Sequence, residues 1–377
     1  MKQLRTPNNP FLLTGYHSPP YFCNREEELL WLKNGIQNER NMVLHAERRI
    51  GKSALIKHLF YHLNNEKKFE TIYVDLLGTT DLNSANERIG HAVISKFGNL
   101  EQGIMPKIMK LAGSIGATFS LDEFSGLPQL TFVAGTRTKP SAQSLDVLAS
   151  FLLTYKKPII ICLDEFQEIA NYPEKEAEAL FRSWTQNFPT ITFIFSGSHQ
   201  HLIKAMFNER SRPFFKSAQM RQLGAIPSDE YHMFIKGHFE KGKKSIDDEV
   251  IAETLKWTLG QTYYIQVILN KLYGSDQCDR QTLILLFDEL IQQEAPIFST
   301  YQRLLTSFQW KLLKALATEE IVTNPLSKRF INRHSLGAAS SVSTGLKKLI
   351  NTQMIVHDNG YRVQDVLLLR YLQSISS

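Results

Sequence analysis

The stretch LHAERRIGKSALIKHLF, residues 44–60, carries the most informative motif of the chain. It follows the phosphate-loop pattern G-x-x-x-x-G-K-[ST] at every defined position but the first, with the matches at Gly51, Lys52 and Ser53. An apolar strand over 42–44 precedes the loop, and apolar residues at helical spacing follow it. This order predicts backbone N–H groups wrapped around a phosphate at the start of a helix.

Alanine replaces the first glycine of the pattern at position 46. That position lies where the chain leaves the strand, and a methyl group is compatible with it if the backbone φ angle stays negative. Gly51 is the more critical glycine, because the chain passes close to the phosphate just before the helix. Ala46 therefore weakens the pattern without removing the predicted site.

The loop pattern assigns roles to single side chains. Lys52 is expected to reach the β- and γ-phosphates of a nucleotide and to act in phosphoryl transfer, and the Ser53 hydroxyl is expected to bind Mg²⁺. The predicted ligands are therefore ATP or ADP together with Mg²⁺. The loop residues expected to contact the nucleotide are Arg49, Ile50, Gly51, Lys52, Ser53 and Ala54.

A second apolar run, PIIICLDEF, ends in two acids. Its residues 159–163 suit a strand covered on both faces, and Asp164 and Glu165 follow. In P-loop enzymes the first acid holds Mg²⁺ through water and the second polarises the attacking water. Asp164 and Ser53 are thus the predicted metal residues, and Glu165 and Lys52 are predicted to be catalytic. A helix cap is the alternative role for such an acidic pair.

The strand ITFIFSGS, residues 191–198, predicts side chains that sense the γ-phosphate. Ser196 and Ser198 stand at its end, and Ser198 completes the predicted catalytic set with Glu165 and Lys52. A Ser-Gly-Ser turn that caps the next helix explains these serines equally well. A metal pair of His199 and His201 is excluded, because residues two apart do not share a helical face. The candidate arginine fingers, each with a surface role as the simpler alternative, are Arg182, Arg210 and Arg212.

The order of elements predicts the architecture. Strands alternate with helices up to about residue 227, which predicts a parallel α/β sheet with right-handed crossovers. Within 112–136 two strands joined at Gly126-Leu127-Pro128 predict an inserted β-hairpin. A wholly helical part follows, and its last helix is expected over 279–294. The predicted domains are a core over 1–227, a helical lid over 228–300 and a C-terminal module over 301–377.

Composition limits the class of protein. Of 377 residues, 43% are hydrophobic and 21% charged, as in soluble folded proteins. No apolar run approaches the ~20 residues of a membrane helix, and the N-terminus does not look like a secretory signal. The cysteines, at 23, 162 and 278, match no disulfide or metal spacing. A cytoplasmic location with no membrane partner is expected.

Positive charge is concentrated at the end of the chain. Net charge is +6, and residues 301–377 hold ten Lys and Arg against four Asp and Glu, so this segment carries the whole surplus. An anionic partner for the C-terminal module is one explanation. Solubility of a small domain is the other.

Five segments, in this order, carry a resemblance. YFCNREEELLWL at 21–32 is similar to F-x-G-R-E-x-E-L, and AERRIGKSALI at 46–56 to G-P-R-R-V-G-K-T-S-L-I. CLDEFQEI at 162–169 is similar to I-D-E-F-Q, FIFSGSHQHLIKAMF at 193–207 to a third-strand signature, and LGQTYYIQVILNKL at 259–272 to G-G-x-P-Y-Y-L-Q. The chain resembles the prokaryotic archaeal-type ATPase family, a branch of the AAA+/STAND P-loop ATPases.

The resemblance implies a fold and further contacts. A P-loop NTPase sheet of the AAA+/ASCE type would be followed by an all-α lid and a winged helix-turn-helix domain. Arg25 and Glu26 would approach the adenine and ribose, and residues 260–264 would lie in the lid near the nucleotide. The sequence departs from the family pattern at Asn24, Ala46 and Thr262.

A winged helix would place the helix over 337–353 in the major groove of DNA. The side chains expected at its reading end or near phosphate are Ser340, Ser341, Ser343, Thr344, Lys347 and Lys348, with Lys328, Arg329 and Arg333 on the preceding helix. Because that end has no Arg, Asn or Gln, non-specific contact with double-stranded DNA through 327–348 is favoured over sequence reading. The alternatives are docking of a protein partner and packing of the winged helix on its own ATPase domain. Asn359-Gly360 predicts the turn of the wing.

These observations favour one function and leave another open. The favoured function is a nucleotide-dependent switch that hydrolyses ATP with Mg²⁺ and repositions the winged helix. The alternative is a non-catalytic adaptor that holds a nucleotide and presents the winged helix to a protein. A sequence-specific repressor is weaker, because the reading helix lacks base-specific side chains.

Overall fold

The computed structural model describes residues 5–97, 113, 117–121, 128–132 and 141–376. The described residues divide into two compact units. The core unit comprises Ser18–Glu47 and Gly51–Gly224, and the C-terminal unit comprises Met1–His17, Arg48–Ile50 and Ala225–Ser377. The three-part division expected from the sequence stays a prediction.

The core unit is built on a five-stranded parallel sheet. The strands of this unit in chain order are β1 Met42–Ala46, β2 Glu70–Asp75, β3 Ala117–Leu121, β4 Pro128–Phe132, β5 Ile159–Asp164, β6 Ile191–Gly197 and β7 Gln219–Leu223. The parallel sheet has the order β2-β5-β6-β1-β7, with Asp75 level with Asp164 and His45 level with Gly197. This order confirms the predicted P-loop sheet. It also brings the ends of β1, β5 and β6 to one edge.

The strands of the sheet are nearly continuous apolar runs in the sequence because they are buried. Every residue of β1, β5 and β6 is buried, because helices cover both faces of a parallel sheet. The helices of the core unit are α1 Glu26–Gln37, α2 Lys52–Glu66, α3 Leu82–Phe97, α4 Ser141–Leu152, α5 Ala177–Asn187 and α6 Gln200–Asn208.

A 3₁₀ helix over Phe166–Asn171 follows β5. Tyr172 is extended (φ −68°, ψ 150°), as expected for the residue before Pro173, so the α-helix begins only at Ala177.

The strands β3 and β4 pair antiparallel, with Ala117 opposite Phe132 and Leu121 opposite Pro128. Pro128 is therefore the first residue of a strand. The rest of the expected turn, Gly126 and Leu127, lies outside the described residues.

The C-terminal unit is helical and ends in a helix-rich module with a small hairpin. Its elements are α7 Ser228–Lys241, α8 Asp248–Trp257, α9 Thr262–Gly274, α10 Arg280–Leu304, α11 Ser307–Glu319, α12 Lys328–Arg333, α13 Ala339–Asn351, β8 Ile355–His357, β9 Tyr361–Val363 and α14 Val366–Ser374. The hairpin β8–β9 turns at Asn359-Gly360, as expected for the wing. The sequence prediction missed α14.

The helix α10 runs past both its expected end at 294 and the expected domain limit at 300. Pro296 lies inside it. A proline removes one backbone donor and usually ends a helix, which is why the prediction stopped too early.

The N-terminal segment packs in the C-terminal unit. Phe11 is fully buried, with its ring 5.6 Å from Phe239 and 5.8 Å from Tyr273. Asn270 donates to the Phe11 carbonyl at 2.7 Å, and Asn9 donates to the Asn270 carbonyl at 2.8 Å.

Neither a membrane helix nor a disulfide is found in the described part of the chain. None of its helices has the length and apolar character needed to cross a bilayer. Cys23 and Cys162 are buried and Cys278 is partly buried.

Candidate functional site

The loop after β1 has the backbone that a phosphate site needs. Ala46 is the last residue of β1, fully buried, and is not among the residues with a positive φ angle. Gly51 has a φ of 98°, a region that favours glycine. The methyl group of Ala46 is thus accommodated by an ordinary strand conformation.

The start of α2 leaves backbone donors available. The first bond of the helix runs from the Leu55 N–H to the Gly51 carbonyl at 3.0 Å. The N–H groups of Lys52, Ser53 and Ala54 precede it and make no bond inside the helix. They lie at the positive end of the helix dipole, which favours an anion.

Asp164 is the centre of a buried polar cluster. Its carboxylate is 2% exposed and accepts hydrogen bonds from Lys52 and Ser196 on Oδ1 and from Ser53 (2.7 Å) and Tyr73 on Oδ2. Lys52 also donates to the Ser196 hydroxyl at 2.9 Å. The sheet order explains the cluster, because β5, which carries Asp164, lies between β2, which carries Tyr73, and β6, which carries Ser196.

The two buried charges of the cluster stabilise each other. Burial by itself would lower the pKa of Lys52, but the carboxylates of Asp164 and Glu165 outweigh it and the pKa is raised. Burial would raise the pKa of Asp164, but Lys52 and the hydroxyl donors hold it well below its usual range. Both groups are therefore charged at neutral pH.

Glu165 lies beside this cluster and is held differently. It is 17% exposed and has a left-handed backbone (φ 52°). Its Oε2 accepts from the Ser198 N–H (3.1 Å), the Ser198 hydroxyl (2.8 Å) and the Gln167 amide (2.7 Å). Its Oε1 is 3.5 Å from the Lys52 ammonium. One oxygen is thus fixed by three donors and the other faces the lysine.

The sequence reasoning missed two members of this constellation and left a third uncommitted. Tyr73 lies level with Cys162 on the neighbouring strand, so strand pairing would have been needed to find it. Gln167 follows Glu165 by two residues, and only the 3₁₀ turn brings it back onto the carboxylate. Ser196 was considered beside Ser198, but it is Ser196 that binds Lys52 and Asp164.

Arg25 is engaged in a structural contact. It is 5% exposed and donates to the Gly224 carbonyl at 2.7 Å and to Glu28 at 3.4 Å. Glu26 is exposed at the first residue of α1. Arg25 therefore fastens the segment before α1 to the end of β7, and a contact with adenine by either residue stays a prediction.

The arginine-finger candidates differ in their surroundings. Arg212 is paired with Glu178 at 2.5 Å, and burial lowers the pKa of the half-buried Arg182. Arg210 is exposed. His199 caps α6 by accepting from the Leu202 N–H at 3.4 Å. No group of three or more metal-ligating side chains is found in the part of the chain that the structure describes.

The predicted lid residues contact the tip of the phosphate loop within the C-terminal unit. The Tyr263 N–H donates to the Arg49 carbonyl at 3.0 Å, and the Thr262 hydroxyl donates to the Ile50 carbonyl at 3.0 Å. Thr262, which stands where the family pattern has proline, thus supplies one of these contacts.

The helix α13 presents a polar and basic surface. The exposed side chains are Ser340, Ser341, Thr344, Lys347 and Lys348 on α13, and Lys328, Arg329 and Arg333 on α12, while Ser343 is half-buried. Arg333 is paired with Glu319 at 2.7 Å. Most of the predicted phosphate-binding side chains are thus accessible.

Comparisons with known proteins agree with the geometry. A family model described as an ATPase domain predominantly from Archaea matches residues 22–268, and one described as a probable winged helix domain matches residues 296–374. No curated protein matches the chain.

Three solved structures of similar fold are from Archaea. A Walker-type ATPase of Pyrococcus abyssi is 19% identical with a TM-score of 0.69, covering 97% of this chain and 99% of that one. The Aeropyrum pernix ORC2 protein in ADPNP–ADP complexes is 15% identical with a TM-score of 0.59, covering 96% and 97%. The Aeropyrum pernix ORC1 protein in complex with DNA is 13% identical with a TM-score of 0.54, covering 97% and 96%. At these identities the likeness shows the fold.

The match over 22–268 contains the phosphate loop, the acidic pair, Ser196 at the end of β6 and Ser198 just after it, all of which the structure gathers at one edge of the sheet. It covers more than half of the chain. The chain therefore belongs to the family of ATPase domains found predominantly in Archaea.

Proposed function

We propose that this chain binds and hydrolyses ATP with Mg²⁺ and uses the nucleotide state to control its C-terminal module. The observation that carries the proposal is the buried cluster in which Lys52, Ser53 and Asp164 meet at the start of α2. Burying a lysine and a carboxylate costs free energy. A phosphate–metal site is the function that explains why they lie beside free helix donors.

The residues of the cluster fit a magnesium ion. The Ser53 hydroxyl and Asp164 Oδ2 are 2.7 Å apart, and both are the hard oxygen ligands that Mg²⁺ prefers. Tyr73 and Ser196 hold the carboxylate in place. Bound Mg²⁺ would supply positive charge next to the phosphates.

The loop fits a nucleotide phosphate. The N–H groups of Lys52, Ser53 and Ala54 would donate to phosphate oxygens, with Gly51 allowing the close approach. When a nucleotide binds, the Lys52 ammonium would direct one of its N–H groups from Asp164 to a phosphate oxygen. The residues proposed for the remaining nucleotide contacts are Arg25, Glu26, Arg49 and Ile50.

Hydrolysis is assigned to Glu165, which would orient and deprotonate the attacking water. Its Oε2 is fixed by Ser198 and Gln167, so Oε1 is the oxygen proposed to face the water. Ser198 would position this base.

Measurements of binding and turnover test the proposal. The wild-type chain should bind MgATP in isothermal titration calorimetry and release phosphate steadily. Glu165→Gln should keep binding but lose at least about 100-fold in turnover, since a general base contributes about 10²–10⁴-fold. Lys52→Ala should lose both. No adenine nucleotide binding by the wild-type chain with Mg²⁺ present would refute the proposal.

One observation favours a non-catalytic adaptor as the second candidate. Three donors already hold Oε2 of Glu165, which restrains the movement of the carboxylate. In an adaptor the nucleotide would be retained as a structural element, and the winged helix would dock on a protein. Tight nucleotide retention without phosphate release in the wild-type chain would select the adaptor.

We also propose that the basic surface of 327–348 contacts double-stranded DNA. The exposed Lys347 and Lys348, with Lys328 and Arg329, provide charge for phosphates. The ORC1 protein of similar fold was solved with DNA, which makes a duplex the first ligand to test. In fluorescence anisotropy, affinity for duplex DNA should fall steeply with salt. Lys347→Gln/Lys348→Gln should weaken binding for every sequence equally, and no binding at ~50 mM salt would contradict this part.

A further inference from the structure

The tip of the phosphate loop has a strained residue that other groups hold in place. Arg49 has a left-handed backbone with a φ of 71°, which is unfavourable for a residue with a side chain. Such a conformation persists only where the surroundings determine it. Arg49 lies two residues before Gly51, so its backbone sets the direction in which the chain enters the phosphate-binding turn.

A residue of the winged helix holds the Arg49 side chain. The guanidinium forms an ion pair with Asp365, which lies between β9 and α14. It also lies over the ring of Tyr264 at 4.7 Å and that of Tyr263 at 5.4 Å, in cation–π contact.

Asp365 is itself fixed on several sides. The Tyr264 hydroxyl donates to Oδ1 at 2.9 Å, and Oδ1 caps α14 by accepting from the Leu367 N–H at 2.9 Å and the Leu368 N–H at 3.2 Å. Gln261, next to the lid helix α9, donates to the Gln364 carbonyl at 2.6 Å. The carboxylate therefore has one defined position from which to hold Arg49.

The backbone of the loop tip is bound as well. The carbonyls of Arg49 and Ile50 accept from the Tyr263 N–H and the Thr262 hydroxyl, each at 3.0 Å. Main chain and side chain of the loop tip are thus held by α9 and Asp365 together.

We propose that Asp365 is a positioning residue for nucleotide binding, which acts through Arg49 on the phosphate loop. An ion pair at the surface contributes little alone. Here it restrains a strained residue whose backbone leads directly into Gly51 and Lys52. The proposal rests on the nucleotide site described above and adds to it a dependence on the winged helix.

The dependence works in both directions. If an intact Asp365 contact raises nucleotide affinity, then bound nucleotide stabilises that contact by the same factor. A partner that draws Asp365 away from Arg49 would therefore promote nucleotide release.

Asp365→Asn separates this role from the capping role of the residue. Asparagine keeps an oxygen for the α14 N–H groups but loses the charge that holds Arg49. Asp279→Asn is a matched control, since Asp279 caps α10 by accepting from the Thr282 N–H at 2.8 Å. Arg49→Gln removes the other partner.

The readout is the Kd for a fluorescent ADP analogue with Mg²⁺, titrated into the full chain. We expect Asp365→Asn and Arg49→Gln each to raise the Kd about five- to tenfold, and Asp279→Asn to leave it unchanged. The double variant should be no weaker than Arg49→Gln alone, because Asp365 acts through Arg49 and has no further effect once that side chain is replaced. In ATPase assays KM should rise with kcat nearly constant, and the unfolding midpoint without nucleotide should stay at the wild-type value.

Three results would overturn the proposal. A Kd for Asp365→Asn equal to that of the wild-type chain would show that Asp365 does not position the loop, while leaving the nucleotide site intact. Additive losses in the double variant would show that Arg49 and Asp365 act separately. Absence of nucleotide binding by the wild-type chain would refute the nucleotide site itself, and this proposal with it.

Discussion

Lys52→Met measures how much the free energy of unfolding falls when the buried Asp164 carboxylate loses its cation. Lys52 is 5% exposed and Asp164 2% exposed, so the substitution leaves a carboxylate buried without its cation. Breaking a buried ion pair from one side costs about 3–5 kcal/mol. Asp164 retains the hydroxyl donors of Ser53, Tyr73 and Ser196, which places the expected loss of unfolding free energy at the lower end, about 3 kcal/mol.

Asp164→Asn added to Lys52→Met should restore about 2 kcal/mol, because no uncompensated charge then remains buried. The assay is urea unfolding without nucleotide or Mg²⁺, since any ligand of the native state would add its own stabilisation. Hydrogen exchange of peptides from β5 reports on the core unit specifically. A loss below about 1 kcal/mol for Lys52→Met, or a double variant no more stable than the single one, would refute the reasoning.

Three further changes test other side chains of the core unit. Ser198→Ala should lower turnover about tenfold with unchanged nucleotide Kd, because Glu165 loses one hydroxyl and keeps its other donors; an unchanged rate would contradict the positioning role. Tyr73→Phe should raise the Mg²⁺ concentration for half-maximal activity several-fold, as Asp164 loses a donor; normal Mg²⁺ dependence would argue against it. Burial, then His62 and Lys33, lower the pKa of His58 to about 4. The unfolded chain therefore binds a proton that the folded chain does not between pH about 6.5 and 4, and stability falls on acidification through that window. His58→Gln should remove about 1 kcal/mol of the loss between pH 7 and 5 in urea unfolding, and an unaltered pH profile would exclude His58 as its source.

Local sequence patterns were sufficient for the parts of the site that lie within one loop or at one strand end. Lys52, Ser53, Asp164 and Glu165 could be found because the chemistry fixes their spacing from a glycine or an apolar run. Tyr73 could not, since its role depends on which strand lies next to β5 and in which register.

The same limit applies to longer-range contacts and to helix ends. Asp365 meets Arg49 although 316 residues separate them, and nothing near either residue indicates the pairing. The end of α10 was misplaced for a different reason. Pro296 is exposed, and the helix tolerates one missing donor there, so the local rule gave the wrong boundary.

Because α10 is one continuous helix, it determines where a fragment of the C-terminal module should begin. Phe298 of this helix is 3% exposed and packs 5.4 Å from Tyr371 of α14. A fragment cut at residue 301 would discard the Phe298 ring and expose the apolar side of α14. This exposed apolar surface would bind many ligands weakly and non-specifically. Fragments intended for DNA titrations should therefore begin at Asp279, the cap of the helix, so that the whole α10 supports the domain.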